Sequence, residues 1–121
     1  MARLTEREID YLTSEKRLGR LATVDPDGTP HVVPVGWTYR PEDGVIEVSG
    51  RDFAATHKFH NAVRHPRAAL VVDDVLPPWR PRCVMVRGRV SIVEPGTDGH
   101  TESALRIFPD SVVSWGLDGL G

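Results

Sequence analysis

Apolar positions follow different rhythms along the chain, and each switch of rhythm marks an element. The first is helical. Thr5 and Glu8 form a capping-box pair with Leu4 and Ile9 placed to clamp the entry, and Ile9 and Leu12 share one face until the run ends before Gly19. From residue 18 the period drops to two, or to unbroken apolar runs, so 18–24, 30–39 and 45–49 read as strands. Asp25-Pro26-Asp27-Gly28 and Pro41-Glu42-Asp43-Gly44 lie between them as tight turns. Hairpins joined this way are antiparallel, which excludes a parallel βαβ dinucleotide unit. Residues 53–64 return to a helical rhythm that Pro66 stops. Strands 68–73 and 82–94 follow around a proline-rich loop, 74–81; after a loop at 96–99, short strands at 105–108 and 112–115 flank Pro109-Asp110. Pro34 and Gly88, inside strands, predict the bulges or bends that curl a sheet. The expected fold is mainly β with flanking α: a small closed or half-closed barrel of six or seven antiparallel strands with two short helices.

A chain of 121 residues holds one core, so residues 1–121 are expected to form a single domain, without repeat or linker. Its net charge of −2 gives no general attraction to nucleic acid. The positive charge is local instead. Between residues 51 and 67 lie Arg51, Lys58, Arg64 and Arg67 with His57, His60 and His65, against Asp52 alone. Such a patch on a mildly acidic chain suits a small anionic ligand, not a polymer. Cys83 is the lone cysteine, which fits a reducing cytosol. With no apolar run of 18 residues and no signal-peptide pattern, neither membrane span nor secretion is expected, and the cytoplasm is the expected location.

The candidate chemistry gathers after the strand 45–49. Ser49-Gly50-Arg51 ends that strand, and the helix that follows carries Thr56, Lys58 and Asn61. Hydroxyls, a guanidinium and a helix N-terminus at one place make an anion pocket of the kind that holds a phosphate. Lys58 is one of only two lysines, with Lys16; the competing reading is a solvated lysine. His57 and His60 share a helix face, but no cysteine is near and no fourth ligand is in view, so no metal site is expected. Trp79, Arg80 and Arg82 in the stiff PPWRPR segment suit stacking and anion pairing. Trp115 reads equally as core or site. Cys83 reads as a small buried hydrophobe. Asp73 and Asp74, neighbours on a strand, point to opposite faces and so do not form an acid–base dyad. No Walker loop, GxGxxG, HExxH or catalytic triad order is present, so the hard chemical step is expected to belong to a cofactor.

The helix, the ATVDPDGTPHVVPV hairpin, the strand–Ser-Gly–helix–Lys order and the long strand resemble the split β-barrel, FMN-binding superfamily of pyridoxamine 5′-phosphate oxidase. Three segments, THKFHNAVRHPR (56–67), DDVLPPWRPRCVMVRGRV (73–90) and VSWGL (113–117), resemble more specifically its actinobacterial branch of deazaflavin (coenzyme F420)-dependent enzymes. This resemblance implies a homodimer with the cofactor in a groove at the subunit interface. With it, the anion pocket of Ser49, Arg51, Thr56, Lys58 and Asn61 becomes a cofactor-phosphate site in which Lys58 holds the family's phosphate-binding position, and the resemblance implies contacts from His31, Val32, Pro34 and Val35 along the ring. Trp79, Arg80, Arg82 and Trp115 complete the implied set. The deazaflavin's oligoglutamate tail calls for an open basic extension, which Arg64, Arg67, Arg80 and Arg82 could line. The implied reaction is hydride transfer to a small conjugated, enone-like substrate. The chain also departs from the oxidase. Its Arg-x-Val-Leu-Leu-Lys phosphate motif is replaced by His31-Val32-Val33-Pro34-Val35-Gly36, and its terminal Arg-Leu-x-Pro by WGLDGLG. Oxidation of pyridoxamine phosphate is therefore not expected. The alternatives are an FMN-dependent reductase on the same barrel, a non-catalytic cofactor- or haem-binding barrel and, least supported, an OB-type nucleic-acid binder. The sequence names neither the substrate nor a proton donor.

Overall fold

The computed structural model describes residues 2–97 and 99–118; position 98 of the loop 96–99 and the last three residues of the WGLDGLG segment lie outside the described residues. Helix α1 (Glu6–Ser14) starts as its capping box dictates: the Glu8 N–H donates to Thr5 Oγ1 at 3.2 Å and the Thr5 N–H to Glu8 Oε1 at 2.8 Å. Its inner face buries Tyr11 and Leu12. Strands β1 (Gly19–Val24) and β2 (Pro30–Val35) form a hairpin through the 25–28 turn, where Gly28 takes a φ of 90°. β3 (Trp37–Arg40) and β4 (Val45–Val48) form the next hairpin. Then come a 3₁₀ turn (Phe53–Ala55), helix α2 (His57–Arg64) and the long strands β5 (Arg67–Leu76), β6 (Arg80–Val93) and β7 (Ala104–Trp115).

All seven strands join one antiparallel sheet in the order β2-β1-β5-β6-β7-β4-β3. Its two edges, β2 and β3, are consecutive in the chain and separated only by Gly36. One apolar stretch thus pairs with β1 at one margin and with β4 at the other, which curls the sheet into a split barrel. Leu21, Leu70, Val72, Val84, Val86, Ile46, Leu105 and Ile107 fill the interior. No described helix is long and apolar enough to cross a membrane.

The expected mainly β fold of six or seven strands with two helices is the one observed, with seven strands and four local differences. The predicted strand 30–39 breaks at Gly36. The predicted helix 53–64 is interrupted because Thr56 is extended (φ −84°, ψ 153°) and spends its hydroxyl capping α2. The loop 74–81 is mostly a hairpin, because Asp74 pairs with Arg82, Val75 with Pro81 and Leu76 with Arg80. The two last short strands are one, β7, with a register shift at Arg87/Gly88. A Cβ on Gly88 would lie 1.9 Å from the Phe108 carbonyl oxygen, so only glycine lets the strands approach there.

Candidate functional site

The turn after β4 leaves Ser49, Gly50 and Arg51 exposed, and Lys58 follows, half-buried, on the second residue of α2. Neither Arg51 nor Lys58 has a carboxylate partner among the described residues; Lys58 Nζ sits 5.6 Å from the centre of the Phe53 ring. Two cations without counter-ions among the described residues, with an exposed hydroxyl in the same segment, have the chemistry to hold a phosphate-like anion. Thr56 is already engaged: its hydroxyl donates to the Phe53 carbonyl at 2.7 Å and accepts from the Phe59 N–H at 3.3 Å. Asn61 is buried, and its amide donates to Thr23 Oγ1 at 3.3 Å, tying α2 to β1.

Along β2, Val32 and Pro34 are exposed and Val35 is buried. β2 is a sheet margin, so one side of its backbone has no strand partner among the described residues. The His31 ring turns to Asp25: Nε2 lies 2.7 Å from Oδ2, while His57 Nε2 lies 2.7 Å from Oδ1 of the same carboxylate. Hydrogen bonds from His57 and then His31 hold the Asp25 carboxyl down to about 2. This Asp25–His31–His57 cluster is absent from the sequence reading. Its one visible signal was the hairpin register, which sets Thr23 opposite His31 and so Asp25 close by; the docking of α2 left no signal.

Trp79 and Arg80 stand exposed at the tip of the β5–β6 hairpin, with Arg80 unpaired among the described residues. Arg82 lies elsewhere. It is buried, and its Nε and Nη2 reach Asp74 Oδ1 and Oδ2 at 2.8 and 2.5 Å. Arg17 Nε (3.0 Å) and the Tyr11 hydroxyl (3.0 Å) donate to the same carboxylate. The Arg82 bond first, then those of Arg17 and Tyr11, hold the Asp74 carboxyl well below its usual range against the opposing effect of burial. Burial and then the Asp74 bond push the Tyr11 hydroxyl up. Asp73 faces the other way and pairs with Arg20, as alternation requires. Of the other arginines proposed for a basic extension, Arg67 pairs with Asp110 at 2.9 Å and Arg64 is exposed without an ion pair among the described residues.

Trp115, half-exposed, pairs in register with buried Cys83, and Val113 with Met85, which in turn faces Val71. Partners in register share a face, so these residues give the barrel an outward apolar patch. A hollow of about 800 Å³ lies between the start of α1 and residues 114–118, and its lining includes none of Ser49, Arg51 and Lys58.

Residues 5–107 match the family model described as pyridoxamine 5′-phosphate oxidase. The chain is 38% identical over 121 residues to a 5a,11a-dehydrotetracycline/5a,11a-dehydrooxytetracycline reductase of Streptomyces rimosus, covering 95% of this chain and 84% of that one. Among solved structures, it resembles the conserved hypothetical protein Rv2991 of Mycobacterium tuberculosis (TM-score 0.76, 25% identity, 98% of this chain and 88% of that one). It also shares the fold of an F420 reductase (TM-score 0.65, 24% identity, 86% of this chain and 94% of that one).

Proposed function

This chain belongs to the pyridoxamine 5′-phosphate oxidase family, and from that premise we propose that it is an oxidoreductase using the deazaflavin coenzyme F420. The observation that carries the reading is the exposed Ser49-Gly50-Arg51 turn with Lys58, where two cations lack counter-ions among the described residues. Ser49, Arg51 and Lys58 would hold the cofactor phosphate. The unpaired margin of β2 at His31, Val32, Pro34 and Val35 would offer backbone groups to the ring. When bound, the deazaflavin supplies a hydride for a small conjugated substrate; the name of the 38%-identical relative, a reductase of dehydro compounds, supports that reaction class. Trp79 and Trp115 would cover the ring and exclude water. We further propose a homodimer through the outward patch of Val71, Met85, Val113 and Trp115, so that each site draws on both chains, and a cytoplasmic location consistent with the lone Cys83.

FMN is the second reading, and one observation favours it. Arg67 and Arg82 already have carboxylate partners, which leaves Arg64 and Arg80 of the four arginines for an oligoglutamate tail. Fluorescence titration of the purified protein with F420 and with FMN decides between them. Lys58→Ala should weaken either cofactor by roughly 10–100-fold, the worth of a charge-assisted hydrogen bond. Arg64→Ala/Arg80→Ala should weaken F420 alone. Tighter binding of FMN than of F420 by the parent protein would overturn the deazaflavin reading, and binding of neither would remove the redox assignment. A mass in solution equal to one chain would remove the shared site.

A further inference from the structure

We propose that Asp25, His31 and His57 form a binding site for a first-row divalent cation of borderline softness, with Zn²⁺ as the representative ion. Three elements bring the ligands together: Asp25 opens the β1–β2 turn, His31 lies on β2 and His57 is the first residue of α2. One ligand atom from each lies within 4.8 Å of the others, and the two imidazole rings are 4.6 Å apart between centres. Both Nε2 atoms aim at the same carboxylate, one at each oxygen, at 2.7 Å. Ligand atoms around a tetrahedral zinc are about 3.3 Å apart for bonds near 2.0 Å. Admitting the ion replaces each 2.7 Å imidazole–carboxylate contact by a bond to the metal, with the three residues already gathered around one point.

The ligands are also held in place. The Asp25 backbone is fixed on both sides, its N–H donating to the Thr29 carbonyl at 2.9 Å and its carbonyl accepting from the Gly28 N–H at 2.9 Å. His31 is pinned in the β1–β2 ladder opposite Thr23. The buried Asn61 amide bonds Thr23 at 3.3 Å, which ties α2, the helix that carries His57, to β1 just before Asp25. Binding moves the imidazole protons to Nδ1, so that Nε2 presents its lone pair. Two histidines and one carboxylate fill three positions. His57 is exposed, so the fourth is open to water or an anion. The ion would fasten α2 to the β1–β2 hairpin.

This site does not depend on the cofactor assignment, and its test reads the metal alone. Tag-free protein is titrated with Zn²⁺ by calorimetry and with Co²⁺ by visible absorption. One ion per chain is expected, with a Co²⁺ spectrum of low coordination number and a rise in thermal midpoint on adding Zn²⁺. His57→Ala and His31→Ala should each weaken Zn²⁺ by 10-fold or more and abolish the thermal shift, while His60→Ala leaves both intact. His57 is exposed, so its variant keeps the fold. Failure to bind one equivalent, or equal affinity in His57→Ala and His60→Ala, would overturn the proposal.

Discussion

Replacing Asp74 by Asn tests whether Arg82 serves the fold or the ligand. In the parent, one carboxylate accepts from Arg82 twice, from Arg17 and from the Tyr11 hydroxyl. Both guanidiniums are 7% exposed, and they lie 4.1 Å (Arg17) and 5.0 Å (Arg82) from the Tyr11 ring centre. Asn preserves the shape but removes the charge, leaving two buried cations together. Breaking a buried ion pair on one side costs about 3–5 kcal/mol. Asp74 is 27% exposed, so water offsets part of the loss, and the lower end, about 3 kcal/mol, is the working figure. For a domain of this size that lowers the melting midpoint by about 10 °C. Arg82→Met should cost less, because Asp74 keeps Arg17 and Tyr11.

Urea unfolding of the parent, both single variants and the double variant yields the coupling energy directly. Under native conditions, Arg82→Met should bind F420 and FMN like the parent. Acid adds an independent check. The Asp74 carboxyl sits below its ordinary range, so its contribution is present above pH about 4 and is lost as the pH falls through the folded value. Asp74→Asn should flatten that acid limb. A loss of stability under about 0.5 kcal/mol, within the scatter of additive sites, or a cofactor defect in Arg82→Met with unchanged stability, would refute the argument.

Other residues make separate predictions. Gly88→Ala would force a Cβ against the Phe108 carbonyl at the β6–β7 shift and should cost about 3 kcal/mol or more, read as a loss of soluble protein and a lower melting midpoint. The His100 Nε2–H donates to Glu47 Oε2 at 2.8 Å, and that bond raises the His100 value above 6.5. Its contribution is therefore full below pH 6.5 and lost as the pH rises through the folded value, and His100→Gln should remove this alkaline decline in a series of melts. Thr56→Ala removes the cap of α2 and should cost about 1 kcal/mol by urea unfolding. Equal stability of that variant would show that packing alone holds the helix start.

The parts of the fold that sequence reveals here are those whose cause is local. The Thr5–Glu8 box, the turns ending at Gly28 and Gly44 and the alternation in β5 and β6 each depend on residues a few positions apart. The strand 30–39 misled because apolar rhythm says that a segment is extended, not which neighbour it pairs with. Its halves serve opposite margins of the sheet, a fact set by strands far away in sequence. The loop 74–81 misled for a related reason. Its prolines and Trp79 look irregular, while the ion pair that zips it, Asp74–Arg82, is a cross-strand event.

The same distinction governs the site. A guanidinium becomes a ligand anchor only where folding leaves it without a counter-ion, and sequence does not show where the counter-ions fall. Arg51, Lys58, Arg64, Arg67, Arg80 and Arg82 look alike as positive positions. Folding supplies carboxylates to Arg67 and Arg82, at Asp110 and Asp74, and gives none among the described residues to the other four. Asn61 and His57 show the converse: Asn61, read as part of the anion pocket, and His57, read as sharing a helix face with His60, acquire partners 38 and 32 positions away, at Thr23 and Asp25. Burial converts the first into a strut. Convergence with His31 converts the second into a three-ligand cluster that helical spacing alone did not reveal. The chemistry open to this barrel is thus set by which charges the fold leaves unpaired among the described residues, and Arg51 with Lys58 is where that remainder lies nearest in sequence to an exposed hydroxyl, Ser49.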